Sequence, residues 1–121
     1  MASILIIEDD PLIALALEYL VKDMGHAVIG SAARTAHAER LAHDRAPDLV
    51  LADVRLAGGD DGIDTVRLLR RKHDFPVIFI SGQLSEHDLE DRGEMPSDIA
   101  AIIAKPFDPF ALRNAIDGAL H

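Results

Sequence analysis

At 121 residues with 49% hydrophobic side chains, the chain has the size of one domain and enough apolar mass for a buried core, which excludes a disordered segment. A formal charge of −9 argues against nucleic-acid binding, whose affinity comes from lysine and arginine neutralising phosphates. With no cysteine there is no disulfide framework, thiolate nucleophile or cysteine-ligated metal, which fits a reducing cytoplasm. The first apolar run meets acids with no basic region before it, and no run approaches the ~20 residues of a membrane span. The expectation is a cytoplasmic protein with neither signal peptide nor membrane partner, forming one domain over residues 1–121.

Strand one is expected at Ile4-Leu5-Ile6-Ile7, followed directly by Glu8-Asp9-Asp10. Asp10 then reads as the N-cap of a first helix with Pro11 at its first position. That helix is expected to turn Leu12, Leu15, Ala16, Tyr19 and Leu20 inward and to stop at Gly25. Strand two is placed at 27–30 and helix two at about 35–45, with Ala36, Leu41 and Ala42 available for the core. Pro47 separates it from strand three, Leu49-Val50-Leu51-Ala52, which ends at Asp53. Helix three is expected over 62–73 with Ile63, Val66 and Leu69 inward and Arg70 on or beside that stripe. The bases Arg67, Arg70, Arg71 and Lys72 read as a solvated face near a helix C-terminus, which favours cations. Phe75-Pro76 ends the unit, and strand four, Val77-Ile78-Phe79-Ile80, runs into Ser81. Residues 84–93 carry the weakest helical signal, anchored only by Leu84 and Leu89, although Ser85 with Asp88 resembles a capping box. Strand five, Ile99-Ala100-Ala101-Ile102-Ile103-Ala104, ends at Lys105. Asp108-Pro109 opens a last helix with Phe110, Leu112, Ala115, Ile116 and Leu120 on its apolar side. The histidines at 26, 37, 43, 73, 87 and 121 are scattered and read as surface or capping residues.

Short apolar runs alternating with helical periods are the pattern of repeated βα units. The fold class is therefore α/β, a doubly wound five-stranded parallel sheet of flavodoxin-like topology and strand order 2-1-3-4-5. Ligands in such sheets bind outside the carboxyl ends of the strands at the switch point, here between strands one and three. Glu8, Asp9, Asp10 and Asp53 would meet there.

An all-oxygen site suits a hard cation, Mg²⁺ before Ca²⁺ or Mn²⁺. Beside such an ion a carboxylate can act as a nucleophile toward phosphorus while an amine and a hydroxyl compensate the transferred oxygens. Asp53 is the best candidate nucleophile, Glu8 and Asp9 suit metal holding, and Lys105 and Ser81 supply amine and hydroxyl. Taken singly each has a plainer explanation: Asp10 as a cap, Glu8 and Asp9 as acids at a helix N-terminus, Asp53 and Ser81-Gly82 as turn formers, Lys105-Pro106 as a loop. Taken together, four strand ends carry the groups that one reaction needs.

These residues resemble the receiver domains of two-component response regulators over essentially the whole chain. The resemblance rests on the acids after strand one, the run from Pro47 to Asp53, Gly62 opening helix three, the stretch from Pro76 to Gly82, and Lys105-Pro106-Phe107. It implies that Asp53 accepts a phosphoryl group from a histidine kinase or histidine phosphotransfer protein. It also implies that Asp9 and Asp53 bind Mg²⁺ with the backbone carbonyl of Arg55, with Glu8 assisting. Lys105 would pair with one phosphoryl oxygen, Ser81 would hydrogen-bond another and draw its loop toward the site, and the bond before Pro106 would be cis. The output would be contact with a downstream protein through strand five and the two helical segments that flank it, or else the chain would pass phosphate along a relay or drain it as a phosphate sink. The only catalysis implied is the chain's own phosphorylation and dephosphorylation, and a homodimer is left open.

Three departures qualify the likeness. The connection from Asp53 to Gly62 is one residue longer than the usual pattern and has Ala57 and a Gly58-Gly59 pair. Ile102 stands where an aromatic ring is usual, so a switch through ring rotation is absent. Arg92-Gly93-Glu94-Met95-Pro96 replaces a small-residue stretch before strand five. Arg55 and Gln83 occupy positions that govern water access to the acyl phosphate in the family. Rival readings are a metal-dependent phosphohydrolase, a flavin module of similar topology and a receiver that is never phosphorylated. The first lacks an Asp-x-Asp after strand one, and the second needs backbone amides where this chain has acids.

Overall fold

The five apolar runs form the strands β1 (Ser3–Ile7), β2 (Ala27–Ala32), β3 (Leu49–Asp53), β4 (Val77–Ser81) and β5 (Ile99–Ala104) of one parallel sheet, ordered β2-β1-β3-β4-β5. The computed structural model describes residues 1–56, 59–82 and 98–121. Four helices lie among these residues: α1 (Pro11–Asp23), α2 (Thr35–Asp44), α3 (Gly62–Leu69) and α4 (Pro109–Leu120). The expected fold class and strand order are therefore observed. The expected helix at 84–93, with Leu84, Ser85, Asp88, Leu89 and the segment from Arg92 to Pro96, lies outside the described residues, as do Ala57, Gly58 and Gln83.

β1, β3 and β4 are buried along their whole length, as the central strands of a sheet covered on both faces must be. Alternation along the strands divides their side chains between two cores. Leu5, Ile7, Val50, Ala52, Val77 and Phe79 pack with Ala38 and Ala42 of α2 and with Ile63, Val66 and Leu69 of α3. Ile4, Ile6, Leu49, Leu51, Ile78 and Ile80 pack with Leu17 and Val21 of α1 and with Leu112 and Ile116 of α4. No helix among the described residues is long and apolar enough to cross a membrane.

The helix starts follow their capping chemistry. Asp10 accepts hydrogen bonds from the amides of Leu12 and Ile13, and Asp108 from that of Phe110, each with proline at the first helical position. α1 ends before Gly25, whose φ of +88° is the left-handed conformation that glycine adopts freely. The imidazole Nδ1 of His26 accepts the amide of Ala2 at 3.1 Å. Arg70 is half-buried beside the inward stripe of α3. Its guanidinium stacks on Phe75, and its Nη2 donates to the carbonyls of Phe75 and Asp98, at 2.8 and 3.1 Å. Burial lowers its pKa from the ordinary value, partly offset by Asp98 and Asp74.

Three expectations about packing are corrected. α1 turns Ala14, Leu17 and Val21 to the sheet, flanked by Ile13 and Leu20, while Leu12, Leu15, Ala16 and Tyr19 face outward. Apolar residues run almost all the way round this helix, so two stripes satisfy the helical period. The short connection from Ile7 and the cap at Asp10 fix which one meets the sheet. In α2 the core positions are Ala38 and Ala42 with Leu41 half-buried, and Ala36 is exposed. In α4, Phe110 is 76% exposed and Leu112 carries the contact instead. Two boundaries also move. β2 extends two residues past Gly30, because it pairs with β1 as far as Ile7↔Ala32. α3 ends at Leu69, and only turns continue to Lys72.

The phase of α1 is testable. Leu17 is 2% exposed and Leu15 is 62% exposed. Leu17→Ala should cost ~2–5 kcal/mol of stability in a urea melt and Leu15→Ala less than ~1 kcal/mol, because only the first opens a cavity. The opposite order would place the other stripe on the sheet.

Candidate functional site

Strand register brings the acids and the amine together. Ile7 pairs with Ala52 across β1 and β3, so the residues that follow, Glu8 and Asp53, emerge side by side. Asp53 pairs with Ile80, and Ser81 with Ala104, which puts Lys105 one step past the end of β5 at the same edge. Side chains alternate along a strand. Glu8 and Asp53 continue the parities of Ile4-Ile6 and Leu49-Leu51, and Lys105 continues that of Ala101-Ile103, so all three fall on the α1/α4 side of the sheet.

Lys105 Nζ lies 2.6 Å from Glu8 Oε1 and 2.9 Å from Asp53 Oδ2. The second contact is a hydrogen bond donated by the amine. The first is a charge contact, because Glu8 Oε1 is buried without an aligned donor. Glu8 Oε2 accepts the amides of Asp9 and Asp10 at 3.0 and 3.4 Å. Asp53 Oδ1 accepts the amide of Arg55 at 3.3 Å, which folds the backbone after β3 around the carboxylate. The Lys105–Pro106 bond is cis, as the resemblance implied.

Glu8 is 3% exposed, and burial pushes its pKa up to about 7; the Lys105 amine opposes this and the neighbouring Asp53 reinforces it. For Lys105, burial acts downward, but the contacts and charges of Glu8 and Asp53 outweigh it and raise its pKa above the ordinary value.

Carboxylate oxygens of Glu8, Asp9 and Asp53 lie within 4.8 Å of one another. A hard divalent cation fits these residues on three counts. The donors are all oxygen, Glu8 Oε1 is buried with capacity to accept, and three carboxyl groups share one ammonium. Asp10, by contrast, is committed to capping α1.

Ser81 is buried at the end of β4, next to Ile80, the residue that pairs with Asp53. Its carbonyl accepts the amide of Lys105 at 2.9 Å. Two residues of the neighbouring connection were not singled out as site-forming from sequence. Asp61 caps α3 through the amides of Ile63 and Asp64. Gly62 lies so close to β3 that a Cβ there would stand 1.7 Å from the carbonyl oxygen of Asp53. An Asp directly before a helix was signal enough for the first. The second has no local signal, because the partner is backbone nine residues earlier.

A family model described as the response regulator receiver domain matches residues 4–117. The chain belongs to this family. The phyllosphere-induced regulator PhyR of Methylorubrum extorquens is 46% identical over 119 residues, 98% of this chain and 43% of that protein. The PhyR response regulator REC domain of Erythrobacter litoralis superposes with a TM-score of 0.87 at 39% identity, covering 98% of this chain and 89% of that one. The anti-anti-sigma factor PhyR of Bartonella quintana does so with a TM-score of 0.80 at 36% identity, covering 98% and 47%. The chain spans about half the length of the curated relatives it matches.

The raised pKa of Glu8 gives the receiver a pH-dependent stability. The unfolded chain ionises Glu8 near pH 4.5 and the folded one near 7, so between these values the folded state holds the extra proton. Stability should fall as pH rises through this window, by up to about 3 kcal/mol from this group, and level off above it. Urea melts in a chelating buffer should show that fall for the wild type and a flatter profile for Glu8→Gln. Equal slopes would remove Glu8 as its source.

Proposed function

We propose that the chain accepts a phosphoryl group on Asp53 from the phosphohistidine of a histidine kinase or histidine phosphotransfer protein, in a Mg²⁺-dependent reaction, and signals by contact with a protein target. The observation that carries this reading is the meeting of the Asp53 carboxylate with the Lys105 amine and with the Glu8 and Asp9 carboxylates at one sheet edge.

An oxygen of Asp53 attacks phosphorus, the P–N bond to the donor imidazole breaks, and its electron pair returns to the ring nitrogen. The hydrogen bond from Arg55 N and the packing of Gly62 against β3 hold the carboxylate in place for in-line approach. Lys105, already in contact with Asp53, pairs with an oxygen of the transferred group, and the Ser81 hydroxyl bonds another. A divalent ion, held by Glu8, Asp9, Asp53 and the backbone carbonyl of Arg55, would neutralise the crowded carboxylates and the phosphoryl oxygens. With Ile102 half-buried against the α2/α3-side core in place of a ring, the change passes to the backbone through the Ser81–Lys105 pairing.

Protein partners are supported by the surface beside these groups. Leu12, Leu15 and Tyr19 on α1 and Phe110 at the start of α4 are exposed, and both helices begin at the edge that carries Asp53. A phosphohistidine donor must cover this rim to reach the acid. The Bartonella relative is described as an anti-anti-sigma factor. That description fits an output by protein contact, with residues 1–121 working as one receiver unit.

Beryllofluoride with Mg²⁺ is the direct test. The wild type should show Mg²⁺-dependent amide shifts at the ends of β3 and β4, and Asp53→Ala should show none. Lys105→Ala should slow phosphorylation by a small-molecule phosphodonor about 100-fold or more. No Mg²⁺-dependent change in the wild type, or one that survives in Asp53→Ala, would count against the reading.

A further inference from the structure

Three of the four helices among the described residues are capped from their own N-terminal residue, Asp10, Asp61 or Asp108. α2 is not. Arg34, at its N-cap, is extended and makes no side-chain capping bond. The Thr35 amide is satisfied instead from a distant part of the chain, by Asp60 Oδ2 at 2.9 Å. A second bond joins the same place to α3. Thr65 spends its hydroxyl proton on the Asp61 carbonyl at 2.8 Å, so in the 2.7 Å contact between the two threonine hydroxyls Thr35 is the donor.

Asp60 belongs to the connection that holds the phosphoacceptor. Arg55 and Asp61 form an antiparallel bridge, Leu56 N donates to the Asp60 carbonyl at 3.1 Å, and Gly62 N donates to the Val54 carbonyl at 2.8 Å. The near arm of this hairpin supplies the amide that holds Asp53 Oδ1. The far arm is fastened by the Asp60 carboxylate to α2, a helix that gives no side chain to the site.

We infer that Asp60 is a positioning residue for the aspartyl site: by capping α2 from the β3–α3 connection, it clamps the hairpin whose other arm orients Asp53 and Arg55. This rests on the assignment of Asp53 as phosphoacceptor. The clamp acts through an accepted N–H bond, not through charge, so an amide oxygen should serve as well as a carboxylate.

The test titrates Mg²⁺ with beryllofluoride into the full chain, read by amide shifts well below the melting temperature, alongside hydrogen exchange of the Thr35 amide. Asp60→Ala should weaken apparent Mg²⁺ affinity about threefold to tenfold, a part of what a helix cap is worth, and speed Thr35 exchange. Asp60→Asn should stay within about twofold of wild type on both readouts. Thr35→Pro removes the donor while leaving the site's charges alone, and proline suits a first helical position after an extended residue. It should match Asp60→Ala, whereas Thr35→Val, which keeps the amide, should not. Unchanged affinity in Asp60→Ala or Thr35→Pro, even with a lowered Tm, would reduce the bond to a structural cap and overturn the inference. A loss in Asp60→Asn equal to that in Asp60→Ala would assign the effect to charge and also overturn it. A wild type that gives no Mg²⁺ response would instead overturn the phosphoacceptor assignment, and this inference with it.

Discussion

The single ammonium of Lys105, set between Glu8 and Asp53, is the interaction on which the carboxyl edge depends. Three carboxylates have oxygens within 4.8 Å of one another, and at that separation each like-charge pair repels by roughly 3 kcal/mol at an effective dielectric near 20. Lys105 contacts two of them at 2.6 and 2.9 Å, and at the same dielectric each contact attracts by roughly 6 kcal/mol, more than the Glu8–Asp53 repulsion. Asp9 stays uncompensated by this amine. What remains is resolved in part by a proton, since Glu8 is held up to about 7 by burial and by Asp53. A buried acid whose pKa is higher folded than unfolded loses its share of stability as pH rises through that interval.

That arrangement follows from a period of two and a register. Parallel pairing fixes Ile7 against Ala52, and from there alternation decides which of the residues beyond each strand can meet. Glu8, Asp53 and Lys105 share a side, and Ser81 is joined to Lys105 through its carbonyl.

Much of this was legible from the sequence because the deciding features are local. Strand runs, their acidic or basic ends, and the Asp-Pro helix starts at 10–11 and 108–109 all act within a few residues. The strand order then followed from the handedness of βα units. What failed was rotation about a helix axis. α1 carries two apolar stripes, and the buried one is selected by the connection from β1, which no periodicity reports. Phe110 failed for a related reason: it stands in the first turn of α4, where the helix has only begun to pack, and Leu112 two residues on makes the contact. Contacts between distant segments that the strand order does not bring together were out of reach. The Asp60–Thr35 bond spans 25 residues, and Gly62 is constrained by backbone it does not adjoin.

The run Asp60-Asp61-Gly62 shows why such a connection cannot be replaced by a generic loop. Each residue ordered without a partner costs about 1–2 kcal/mol of chain entropy, so a long connection holds one shape only where bonds recur along it. Here they do: Arg55 N to Asp53, Leu56 N to Asp60, Gly62 N to Val54, and the two carboxylates of Asp60 and Asp61 on the starts of two different helices. Three consecutive residues thus have three separate tasks, capping a distant helix, capping their own, and leaving room for the Asp53 carbonyl. Exchanging the two aspartates for other acids would preserve the charge and lose the geometry, because a glutamate's extra methylene moves the accepting oxygen off the amide that it caps.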